Sequence, residues 1–132
     1  MKKSKILKSI IIISGLIGVY VGIEILFMPV SFYATSGIHL GENISLLNEM
    51  RAPGGALLAS GLLITLGAFW ERLAFTSIVL ATLLYLSYGL SRIYSMVIDG
   101  APAEILVYVA IAEILVGSVC AVALFKYRVV EN

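Results

Sequence analysis

Apolar residues run along this chain in four long blocks separated by short polar breaks, a spacing that predicts helices of membrane length. The first block extends from about Ile10 to Met28, behind a segment carrying Lys2, Lys3, Lys5 and Lys8, and Pro29 ends it. Its length of about 19 residues matches the roughly 20 that cross a hydrocarbon core. The rival reading of this block is a cleaved signal peptide, with Ala34-Thr35-Ser36 as a weak cleavage site. Its length and the internal Glu24 favour a retained helix. Residues 29–44 read as a connection broken by Pro29, Gly37 and Gly41, with Ser31-Phe32-Tyr33 at the membrane interface. The second block starts near Asn43 to Leu47 and reaches Trp70, with Pro53 inside a bent helix, the alternative being a membrane helix that starts at Ala52 with Pro53 at its first position. Trp70-Glu71-Arg72 is too short for anything but an antiparallel hairpin, and Asp99-Gly100-Ala101-Pro102 makes the next turn. Helices are therefore expected at about 8–28, 45–70, 73–97 and 102–126, in one domain covering residues 1–132.

Composition turns these helices into membrane spans. Of 132 residues, 61 % are apolar and only 13 % charged, and mean hydropathy is +1.05. A soluble domain of this size could not hide so much apolar surface in one core, whereas lipid as solvent removes the difficulty. The expected fold is all-α: an integral membrane four-helix bundle. With both termini cytoplasmic, the inner side holds Lys2, Lys3, Lys5, Lys8, Arg72, Lys126 and Arg128, and the outer side only Arg51 and Arg92. That asymmetry follows the positive-inside rule. The net charge of +1 supplies no basic footprint for nucleic acid. A lone Cys120 excludes an internal disulfide framework.

Candidate chemistry lies where polar residues interrupt the apolar faces. Asn48, Arg51 and Gly55 share one helical stripe, and Thr82, Tyr85, Tyr88 and Arg92 share another. Glu113 lies about nine residues below Glu104, roughly 13 Å along the helix, and Glu24 about one turn below the outer boundary. Ionisable groups at membrane depth must face a partner, a cavity or water, and they mark function by default. Two arginines and two carboxylates thus converge on the outer half, with Arg51 expected to meet Glu24 and Arg92 to meet Glu113. Tyr85 and Tyr88 beside Arg92 add stacking walls with polar tips, suited to an amphipathic ligand such as a lipid headgroup, a quinone or a sterol-like molecule. The candidate ligand-binding residues are Glu24, Asn48, Arg51, Tyr85, Tyr88, Arg92 and Glu113. The bland reading is that the pairs only fix helix register. The small-residue stripe Ser14, Gly15, Gly18 and Gly22 permits close helix contact, inside the bundle or across a homo-oligomer. His39 has no second histidine to complete a metal site, so no metal or cofactor is expected.

Asn48-x-x-Arg51-Ala52-x-Gly54-Gly55, then Tyr88-Gly89-x-x-Arg92 with Asp99-Gly100-x-Pro102, then Glu113, resemble the bacterial family catalogued as domain of unknown function 4345. The resemblance runs from Gly15 to about Phe125, and the family is similar in plan to the four-helix DoxX-like membrane proteins. It implies a multi-pass protein of the bacterial inner membrane and no particular activity. Three functional readings follow. The first is binding of an amphipathic small molecule or membrane lipid in an outer-half polar pocket between helices. The second is a small enzyme of proton-transfer or isomerase type, with Glu113 or Glu24 as the catalytic group acting on a membrane-soluble substrate. The third is a structural or oligomeric subunit without ligand.

Overall fold

The computed structural model describes the backbone of residues 5–131 and the side chains of residues 5–127. Lys2 and Lys3, and the side chain of Arg128, fall outside the described residues. Every regular element among them is helical: α1 (Lys5–Phe27), α2 (Pro29–Ala34), α3 (Ile44–Leu66), α4 (Glu71–Asp99) and α5 (Glu104–Glu131). Three helices, Lys5–Phe27, Glu71–Asp99 and Glu104–Tyr127, are long and apolar enough to cross a membrane. At ~1.5 Å per residue each exceeds the ~30 Å of a hydrocarbon core. α3 is 23 residues long but carries Glu49, Arg51 and Pro53 in its first half, which dilute its apolar character.

Local chemistry sets the boundaries. Pro29 opens α2 at the first helical position, where its missing N–H would have had no partner anyway. A short helix therefore stands where the pattern reads only a connection. Asn43 caps α3, its side-chain oxygen accepting the Leu46 N–H at 3.1 Å. Pro53 sits inside that helix and leaves the Glu49 carbonyl without its intrahelical donor. α3 stops at Leu66, and Ala68, Phe69 and Trp70 turn back onto the Thr65 and Leu66 carbonyls. Hydrophobicity alone reads this turn as helix, since a tight apolar turn and a last helical turn look alike. Gly100 closes α4 with a φ of 100° that side-chain-bearing residues avoid.

Two antiparallel pairs make up the molecule, α1 on α3 and α4 on α5, with α3 and α4 joined by the short turn and α1 touching the second pair lightly. The α1–α3 seam is a glycine zipper. Gly15 lies against Thr65, Gly18 against Gly61, Gly22 against Leu58, and Gly54 against Ile25 and Leu26. A Cβ on Gly61 would come within 2.5 Å of the Val19 nitrogen, so the two backbones touch there. The small-residue stripe of α1 is thus used within the chain. Gly89 against Ile114 and Gly117 against Leu86 bring α4 and α5 together in the same way.

Buried packing is concentrated at the end where α1 begins and α3 ends. Leu7, Ile11, Ile64, Ala68, Ala74, Ile78, Ala81, Tyr85, Cys120 and Tyr127 form that core. At the opposite end few side chains are buried, among them Ile25, Pro29 and Leu40. The outward faces are largely apolar, with Ile13, Leu16, Leu62, Leu83, Leu90, Leu115 and Val122 more than half exposed. Water-soluble monomers rarely present such continuous apolar surface. It fits helices solvated by acyl chains.

Candidate functional site

Arg92 and Glu113 meet because the turn between α4 and α5 is short. Arg92 lies seven residues before Asp99 and Glu113 nine after Glu104, so both sit roughly 10–13 Å below that turn. The close approaches at Gly89–Ile114 and Leu86–Gly117 hold the helices tight just beneath them. Arg92 Nε donates to Glu113 Oε1 at 2.6 Å. Among the described residues this is the one ion pair between side chains. The Arg92 side chain is 32 % exposed and that of Glu113 15 %, so the carboxylate is tucked behind the guanidinium.

The pair spends only one of the five guanidinium N–H donors. Neither terminal amino group of Arg92 donates to an acceptor among the described residues, and no buried side-chain nitrogen or oxygen is left unsatisfied. The spare donors therefore open at the surface. Tyr88 stands one turn away on the same face of α4, half-buried. Tyr33, on α2, is half-buried and lies within electrostatic reach of both the Arg92 and the Tyr88 side chains. Its phenol is raised above the ordinary value, first by burial and then by Tyr88, with Arg92 acting in the opposite sense. The sequence pattern reads Tyr33 only as an interface aromatic. Nothing in the sequence signals that a short helix after Pro29 leaves it within electrostatic reach of Arg92.

Other candidate residues go elsewhere. Arg51 does not meet Glu24. Its Nη1 donates to the Leu26 carbonyl, one of the last carbonyls of α1, which the helix itself cannot satisfy. A cation at a helix C-terminus is also favoured by the helix dipole. Packing of Gly54 against Ile25 and Leu26 brings Arg51 to that carbonyl, and a carbonyl at the right depth displaces the expected carboxylate partner. Glu24 is half-buried and makes no ion pair among the described residues. Asn48 is exposed and donates no side-chain hydrogen bond among the described residues. Tyr85 is 7 % exposed and gives its hydroxyl to the Ser14 carbonyl of α1. Its hydroxyl faces the core between the two helix pairs, not the open side of Arg92. Cys120 is fully buried in that core, beside Ser14. His39 is exposed, and no group of three metal-ligating side chains occurs among the described residues.

What the arrangement can do chemically is narrow. It presents fixed hydrogen-bond donors and phenol rings at the side of an apolar bundle. No curated protein and no solved structure matches the chain. A family model described as domain of unknown function (DUF4345) matches residues 6–124, a span that includes every residue of the cluster, and the chain belongs to that family.

Proposed function

We propose that this is a multi-pass protein of the bacterial inner membrane, with four spanning helices and both termini cytoplasmic. Its role is to bind an amphipathic small molecule or lipid at the outer-half cluster of Arg92, Glu113, Tyr88 and Tyr33. The observation carrying the binding reading is the unspent guanidinium fork. An arginine a third exposed beside an apolar bundle, with four N–H donors unmatched by the described residues, needs acceptors from outside.

Support for the fourth span comes from the α1–α3 seam. α3 runs antiparallel to α1 from Thr65 beside Gly15 to Gly54 beside Ile25, so both helices occupy one depth range. A bilayer crossed by α1 is crossed by α3. Orientation rests on Lys5, Lys8, Arg72 and Lys126 gathering at one end, where the Lys8 ammonium lies 5.3 Å from the centre of the Phe69 ring. For Arg51 the contact with Leu26 favours a structural role.

The test is native mass spectrometry of gently extracted protein, wild type against Arg92→Gln and Tyr88→Phe. Wild type should retain an adduct of lipid-like mass that Arg92→Gln loses and Tyr88→Phe weakens. Equal retention by all three proteins, or none by wild type, refutes the reading. Cysteines introduced at His39 and Lys126 should label from the periplasmic and the cytoplasmic side respectively, and labelling of both from one side would overturn the topology.

A further inference from the structure

We infer, resting on the binding reading above, that the site selects an uncharged amphiphile bearing acceptor oxygens, such as an ester or ketone carbonyl, over an anionic headgroup. The first ground is charge. Arg92 is already answered at 2.6 Å by Glu113, so the pair is formally neutral. The outer ends of α4 and α5 add Asp99, hydrogen-bonded by Ser95 at 3.4 Å, and Glu104, hydrogen-bonded by Tyr108 at 3.2 Å. Three acids thus stand against one base on these two helices above mid-membrane. Arg51 is committed to the Leu26 carbonyl on the other helix pair. A carboxylate or phosphate arriving at Arg92 would meet the like charge of Glu113 at close range, which disfavours it against an uncharged acceptor.

The second ground is hydrogen-bond polarity. The two amino groups of Arg92 and the phenols of Tyr33 and Tyr88 offer donors, and none of them is bonded to an acceptor among the described residues. A neutral carbonyl or ester satisfies such donors without adding charge. The rings flank it with apolar surface for the chain that follows.

The experiment compares two probes with one acyl chain, 1-monooleoylglycerol and oleate, titrated into the full-length protein in detergent micelles. Alkaline buffer keeps the free acid ionised, and adduct retention is read by native mass spectrometry. Wild type should retain monooleoylglycerol about tenfold more than oleate, and Glu113→Gln, which uncovers the guanidinium, should move the preference toward oleate by at least as much. The Arg92→Gln/Glu113→Gln double variant should lose retention of both while carrying no stranded charge. It serves as the comparison if the single variant fails to fold. Oleate retained by wild type as well as or better than monooleoylglycerol overturns the selectivity and leaves the binding site standing. Retention of neither probe, or undiminished retention by the double variant, removes the site itself.

Discussion

Gly54 and Gly55 are neighbours in one turn of α3, yet alanine should have opposite effects at the two positions. A Cβ on Gly54 would stand 2.7 Å from the Ile25 Cγ2 and 2.7 Å from the Leu26 nitrogen, whereas one on Gly55 meets nothing within 4 Å. Both substitutions gain the same helix propensity, about 1 kcal/mol. That term cancels in the comparison and leaves only packing. Ordinary carbon contacts begin near 3.5 Å, so α1 would have to withdraw by roughly 0.8 Å at Leu26. It is pinned elsewhere on the seam by Gly61 against Val19 and Gly22 against Leu58, and withdrawal opens those contacts too. Overpacking of this kind costs about 1–3 kcal/mol. Gly55→Ala should therefore be stabilising by up to about 1 kcal/mol, and Gly54→Ala should lie about 1–3 kcal/mol below it. The check is reversible unfolding of both variants by sodium dodecyl sulfate titration in mixed micelles, followed by far-ultraviolet circular dichroism. Equal stability of the two would refute the backbone-contact seam, and with it the argument that α3 shares the depth of α1.

The remaining predictions concern the two arginines. Arg51→Met should cost about 1.5–3 kcal/mol by uncapping the Leu26 carbonyl, while Glu24→Gln should change stability by less than about 0.5 kcal/mol. The same titration reads both, and an Arg51–Glu24 coupling in the double mutant would overturn the assignment. Glu113→Ala strands the Arg92 charge, but with Arg92 a third exposed the loss should fall below the ~3–5 kcal/mol of a fully buried pair. Arg92→Met/Glu113→Met should recover most of it. A cycle with no coupling energy would mean that the pair does not hold α4 to α5.

Much of this molecule is legible one helix at a time. The approximate extents of the four long helices follow from hydropathy, because long apolar runs read clearly one helix at a time, whereas the short α2 does not. The glycine stripe on α1 likewise announces a close contact. Even the Arg92–Glu113 encounter could be anticipated, because a short turn fixes the depth of both residues on adjoining antiparallel helices. What no single-helix pattern holds is the rotation of one helix against another. That rotation turns Arg51 to a helix-end carbonyl instead of Glu24, and Tyr85 inward to Ser14. It also leaves α2, too short to show a periodicity, with Tyr33 within electrostatic reach of Arg92. Any acceptor at the right depth satisfies a guanidinium, so the sequence determined which residues would need partners. Only the packed arrangement decided which partners they found.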